Sequence, residues 1–158
     1  MSDDIHLQSW LSEPGVLRNF AMGDPPEIND SVARWVAFSR YRCSLTGDWK
    51  DPATGAVTPC AIGTLWLCPY RKLAHQCQFG MIVSKEFRRK GVGSAILNQL
   101  CHLAKEYFNI ELIHLEMYEG NPAEALYKKF GFREFGRQAG FLKDHGEYYG
   151  RVLMERNL

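Results

Sequence analysis

A three-layer α/β domain, with a mixed central sheet flanked by helices on both faces, is the fold this sequence predicts. Two observations predict it. In residues 79–108 a short apolar run, a glycine-containing turn and a long helical periodicity follow one another. Around that stretch the elements read helix-helix-β-β-β-α-β-α-β-β, with strand and helix periods interleaved rather than segregated. A chain of 158 residues suits one core, and hence a single domain over 1–158.

Residues 5–20 carry Ile5, Leu7, Trp10, Leu11, Val16, Leu17 and Phe20 near helical spacing, broken at Glu13-Pro14-Gly15. Two short helices fit, with Pro14 in the first turn of the second. Gly23-Asp24-Pro25-Pro26 interrupts the chain, and 27–41 reads as an amphipathic helix on Ile28, Val32, Trp35, Val36 and Phe38. A strand over 41–46 leads through the turn residues Asp51-Pro52-Ala53-Thr54-Gly55 to a return strand over 58–68, apolar enough to lie inside the sheet. Pro69-Tyr70-Arg71-Lys72 then turns the chain into the strand that ends at Val83.

After the glycine turn, Val92, Ile96, Leu97, Leu100, Leu103, Ala104 and Tyr107 give the long helix one apolar face, and Tyr107-Phe108 should pack its end. Alternation over 111–118 predicts a strand with one solvated face. Asn121-Pro122 opens a helix, with asparagine as its N-cap and proline first, and Gly131 stops it after Phe130. Strands over 132–141 and 147–154 close the fold through the turn Lys143-Asp144-His145-Gly146.

Bulk properties exclude several functions. Nineteen basic and eighteen acidic residues leave a net charge of +1, too little to gather nucleic acid. No apolar run reaches membrane-spanning length, and Met1-Ser2-Asp3-Asp4 lacks the positive start of a secretory leader, so a cytoplasmic protein without membrane partners is expected. Cys43, Cys60, Cys68, Cys77 and Cys101 are odd in number and form no C-x-x-C pair, which points to reduced core thiols. Cys101-His102 has no third ligand at helical spacing, so no metal is expected. Trp10, Trp35, Trp49 and Trp66 are too scattered for a base-stacking platform.

The turn from Lys85 to Gly93 carries the chemistry. A strand, a glycine turn and a helix in that order present unpaired first-turn N–H groups and the positive end of a helix dipole. Gly91 and Gly93 remove side chains that would keep an anion from the amides of Gly91, Val92, Gly93 and Ser94, and Arg88, Arg89 and Lys90 add positive charge. The stretch reads as a pyrophosphate cradle, against the plainer reading of a solvated turn. It is neither a Walker A loop nor a dinucleotide fingerprint.

The spacing Arg88-x-x-Gly91-x-Gly93 resembles the acyl-CoA motif of the GNAT superfamily of N-acetyltransferases. A second segment, N-P-A-E-A-L-Y-K-K-F-G-F over 121–132, is similar to the helix that follows in that family, and the likeness covers roughly residues 56 to 156. His75 to Val83 and residues 144–156 resemble the branch that acetylates small amines and amino acids, which includes the phosphinothricin-type enzymes. The resemblance implies a GNAT-like fold and direct transfer of an acetyl group from acetyl-CoA, as co-substrate, to a primary amine of a small molecule, amino acid or peptide N-terminus. It implies that Tyr127 protonates, or hydrogen-bonds to, the CoA sulfur, against the plainer reading of a core aromatic beside Leu126 and Phe130. It also implies that a backbone amide near Ile82 or Val83 faces the thioester oxygen, where those residues also pair with the pantetheine arm. Asn121 would contact CoA, although its spacing to Tyr127 allows Gly120 in that place.

Where that branch often carries an acidic residue on the fourth strand, this chain has Gln78, which cannot act as a base. His75 or Glu116 acting through water would replace it, or the amine binds already neutral. Gln78 also keeps open the alternative of a non-catalytic acyl-CoA-binding or regulatory module. The family's layout places aromatics of residues 10–49 around the acceptor. Free sheet edges leave pairing of two copies, a homodimer, open.

Overall fold

A computed structural model of the chain describes residues 3–158, so Met1 and Ser2 of the leader reading lie outside the described residues. Its centre is a six-stranded sheet of β1 (Ser44–Lys50), β2 (Val57–Leu67), β3 (Gln76–Val83), β4 (Leu112–Tyr118), β5 (Arg133–Asp144) and β6 (Glu147–Asn157). The spatial order is β1-β2-β3-β4-β6-β5, antiparallel except for the parallel pair β3–β4. α1 (Asp3–Leu11) and α2 (Pro25–Ala37) cover one face, where Leu7, Leu11, Val32 and Trp35 pack with Ile62 and Ile82. α3 (Val92–Phe108) and α4 (Glu124–Lys129) cover the other, where Leu97, Leu100 and Tyr127 pack with Leu65, Phe79, Ile113 and Met154. The mixed sheet between two helical layers is as expected.

Local chemistry sets the element ends. Asp24 caps α2 by accepting from the Glu27 amide at 3.0 Å, and Glu27 accepts in return from the Gly23 amide at 2.7 Å. Asp51 accepts from the amides of Ala53 and Thr54, both at 2.8 Å, and so forms the β1–β2 turn. Gly131, at φ 82°, ends α4, and the Phe132 amide reaches back to the Tyr127 carbonyl at 3.0 Å. His145 and Gly146, at φ 46° and 88°, make the two-residue turn of the β5–β6 hairpin.

Four expectations are corrected. The second of the two short N-terminal helices is only a 3₁₀ turn, Leu17–Asn19, because Gly15 sits at φ 79°, a value no right-handed helix contains. β1 starts later than expected because the chain continues α2 as a 3₁₀ turn, Phe38–Tyr41, and leaves it through Arg42 at φ 57°. Asn121 does not cap α4: it accepts from the Ala123 amide at 2.9 Å in a turn of its own, and the helix begins at Glu124. Tyr107 is 72% exposed and does not pack the end of α3.

The cysteines are all free, and only Cys68 is not buried. Among the described residues no helix is long and apolar enough to cross a membrane, and no group of three or more His, Cys, Asp or Glu could hold a metal.

One irregularity places the site. β3 and β4 pair only through Gln76–Leu112, Cys77–Ile113 and Gln78–His114. Both strands run on past that point, to Val83 and Tyr118, without pairing to each other. The sheet therefore splits, and the split is a slot joining its two faces.

Candidate active site

Residues beyond the last pair wall a cavity of about 600 Å³ in the split: Gln78 to Met81 from β3, Leu115 to Tyr118 from β4, Asn121 and Tyr127 from the α4 side, and Phe20, Met22, Trp35 and Trp66 from the opposite face. Strand alternation sorts the walls. Phe79, Leu115 and Met117 belong to the core under α3 and α4, whereas Gln78, Gly80, Glu116 and Tyr118 alternate with them onto the face of α2.

β3 also has a free backbone edge. The Ser84 amide donates to the Cys60 carbonyl at 2.9 Å, so in the antiparallel ladder Ile82 and Gly80 point their amides toward β2 as well. Met81 and Val83, beyond the last β3–β4 pair, point theirs toward the slot. This corrects the expectation for Ile82, whose amide belongs to the β2 ladder and whose side chain is buried beneath α1 and α2. Val83 keeps its amide on the open side, and its carbonyl accepts from Arg88 Nε at 2.9 Å.

α3 begins where the free edge ends. Gly91 stands before the helix at φ 85°, and no side chain caps the first turn. A methyl group built on Gly91 would touch nothing within 4 Å, so the space beside Gly91 is open. Gly93 lies against the other walls: a methyl group there would come within 3.4 Å of Leu126, 3.7 Å of Met81 and 3.9 Å of Val83. The start of α3, the end of β3 and α4 thus meet at Gly93. Val92 and Ser94 flank it in the same turn.

Arg88, Arg89 and Lys90 separate in the structure. Arg88 is occupied internally, on the Val83 carbonyl and at 3.4 Å from Glu13, and so ties the turn to β3 and to the loop after α1. Lys90 lies over the rings of Phe87 and Trp49, at 5.3 and 5.6 Å. Arg89 is exposed, in the left-handed conformation at φ 60°.

Tyr127 sits in the slot wall at 8% exposure, with edge-on contacts to Phe79 and Phe132, both at 5.9 Å between ring centres. Burial pushes its pKa up to about 12, so near neutral pH the phenol keeps its proton and is a donor. Asn121 lines the cavity beside it, and its neighbour Gly120 turns the chain at φ 80°.

Of the two basic candidates, the structure brings only Glu116 to the cavity. Arg151 Nη1 holds its carboxylate at 2.9 Å, while Arg151 Nη2 donates to Gln138 at 2.8 Å and the guanidinium lies 3.9 Å over the Phe141 ring. His75 is exposed at the start of β3, on the paired side of the split, and its carbonyl accepts from the amides of Glu111 and Leu112. It is not a cavity residue. His114, across from Gln78 at the fork, was not singled out from sequence; burial lowers its pKa, with Glu116 and Glu155 acting the other way. Arg151 was not singled out either, and Trp66 only as one of four scattered tryptophans, since both come from strands distant in sequence from the rest of the site. The aromatics expected from residues 10–49 divide: Phe20, Trp35 and Phe38 line the cavity, while Trp10 packs in the α1 core and Trp49 against Phe87.

Residues 55–134 match the family model described as acetyltransferase (GNAT) domain. Over 84 residues the chain is 29% identical to the L-amino acid N-acetyltransferase AaaT of Escherichia coli strain K12, a stretch covering 52% of each chain. The chain thus spans about half the length of that relative. Two solved structures share the fold over nearly the whole chain. One, provisionally assigned as a phosphinothricin N-acetyltransferase, superposes with a TM-score of 0.81 at 19% identity, covering 99% of this chain and 93% of its own. The other, yncA of Salmonella typhimurium solved with its cofactor acetyl-CoA, gives 0.76 at 13% identity, with 98% and 85% covered.

Proposed function

The chain belongs to the acetyltransferase (GNAT) family, and on that footing we propose that it transfers an acetyl group directly from acetyl-CoA to a primary amine of a small molecule, an amino acid or a peptide N-terminus. The observation that carries this reading is the slot itself. It has uncapped helix amides at one mouth, a protonated Tyr127 inside, and the Glu116 carboxylate on the far side.

In this reading the pyrophosphate lies on the amides of residues 91–94, where Gly91 leaves room. Arg89 is exposed and available to the diphosphate, while Arg88 and Lys90 shape the turn. The pantetheine arm runs along the open edge of β3 and pairs with the amides of Met81 and Val83. A thin acyl chain thereby completes the sheet where β4 has left it.

The amine nitrogen attacks the thioester carbon and the carbonyl oxygen takes up the negative charge, facing an amide on the open edge of β3. As the C–S bond breaks, the CoA sulfur takes the Tyr127 proton, and the tyrosine is reprotonated from water. The proton lost by the amine passes through water to Glu116. In this reading Asn121, on the cavity wall, or its neighbour Gly120 contacts the arm.

Release of free thiol from acetyl-CoA in the presence of amines is the test. The reading expects turnover with at least one primary amine and more of it toward pH 9, where more of the amine is neutral. Absence of turnover over a broad amine panel, with CoA bound, would instead support a non-catalytic acyl-CoA-binding module. That second reading rests on Gln78; the position of Glu116 in the cavity weighs against it.

A further inference from the structure

The acceptor side of the slot has a wall that the transfer chemistry does not use. Trp35 of α2 and Trp66 of β2 meet edge to face, 5.7 Å apart at 78°, and Phe20 meets Trp35 at 6.4 Å and 64°. All three line the cavity. The two indoles rest on Gly80, and that glycine is required: a methyl group there would come within 2.6 Å of the Trp66 ring and 2.9 Å of the Trp35 ring. Indole and phenyl rings carry few rotatable bonds, so this is a rigid and mostly apolar surface. Glu116, on β4, is the carboxylate of the same cavity. Among the described residues Arg34 is its one cationic lining residue, and that side chain is 75% exposed and paired with Asp30 at 2.6 Å.

From this arrangement we infer that the acceptor is a monoamine carrying a flat aromatic group, the ring held on the Phe20–Trp35–Trp66 wall and the amine turned toward Glu116. The inference rests on the acetyl-transfer reading for the direction of the amine, and the wall itself selects the ring. An aromatic ring gains edge-to-face contacts beyond its buried area, whereas a second ammonium on the acceptor would be desolvated with no second carboxylate among the described lining residues to pair with it.

The test is calorimetric binding of three amines to the protein saturated with CoA: 2-phenylethylamine, butylamine and 1,4-diaminobutane. 2-Phenylethylamine should bind about tenfold more tightly than butylamine, and 1,4-diaminobutane no more tightly than butylamine. Gly80→Ala, which displaces both indoles, and Trp66→Leu, which removes one, should each bring the first ratio to within about threefold of unity while CoA affinity stays unchanged. If Gly80→Ala does not fold, Trp66→Leu decides. Butylamine or the diamine binding as tightly as the aromatic amine, no amine binding at all, or a ratio untouched by Trp66→Leu would each overturn the inference. Thiol release is measured in parallel. An aromatic amine that binds selectively but releases no thiol would sink the transfer reading and leave the aromatic wall standing.

Discussion

At its α3 end the slot is walled by backbone from one contiguous stretch, residues 81–94, while at its α2 end it is walled by side chains of Phe20, Trp35, Trp66 and Glu116, drawn from four separate parts of the chain. The two ends tolerate change in opposite ways. Peptide N–H groups are the same whatever residue supplies them, so the first end fails when a side chain is added. The second fails when one is removed. The first end therefore suits a group that never varies, such as a diphosphate, and the second suits a partner that differs from one relative to the next.

The sharpest way to break this contrast is Gly91→Asp. The added methylene meets nothing within 4 Å, so packing survives, although φ 85° costs a non-glycine residue about 1 kcal/mol. The carboxylate would occupy the space before the helix amides and repel a diphosphate. CoA affinity should fall by a hundredfold or more, on the order of 3 kcal/mol, by calorimetry, with an unchanged circular dichroism spectrum. Equal affinity in the variant would remove the cradle.

Next in size are two side-chain removals inside the slot. Glu116→Gln should lower kcat/KM for the amine by about a hundredfold through loss of the proton acceptor, without altering CoA affinity. Tyr127→Phe should lower kcat by about tenfold to a hundredfold with little change in KM for acetyl-CoA, since a hydrogen bond to sulfur develops as the thiolate leaves. A KM effect equal to the kcat effect would reduce Tyr127 to a packing residue.

Tyr127 has a second signature, independent of turnover. Burial raises its pKa from 10.0 to about 12, so its contribution to stability is fully present below pH 10. Between pH 10 and 12 the unfolded chain ionises this phenol and the folded chain does not, and about 2 kcal/mol should be lost as pH rises. Urea unfolding at pH 9 and 11 should show a steeper alkaline decline for the native chain than for Tyr127→Phe. The smallest expected effect is Arg88→Ala. Its guanidinium already serves the Val83 carbonyl and Glu13 rather than open solvent, and partly exposed charge pairs contribute little, so CoA affinity should weaken by about fivefold or less.

The positions where sequence reading went astray share one cause. Pro14 looked like a helix start, but Gly15 took a left-handed φ; Asn121 looked like a helix cap, but its side chain closed a turn instead. In both cases two local arrangements satisfy the same residues, and packing chose between them. Ile82 and Val83 are indistinguishable as apolar strand residues. Only the Ser84–Cys60 hydrogen bond sets which of the two turns its amide to the slot. His75 and Glu116 were equal candidates until the split between β3 and β4 placed one on its closed side and the other on its open side.

By itself the sequence determined the strand, glycine turn and helix that end in free amides, because φ above zero, an uncapped first turn and apolar periodicity are properties of neighbouring residues. The tertiary structure alone decided where the sheet opens, that Arg151 holds Glu116, and that Gly80 is the seat of two indoles. Those depend on register and on contacts between residues tens of positions apart, and local physics carries no record of such distances.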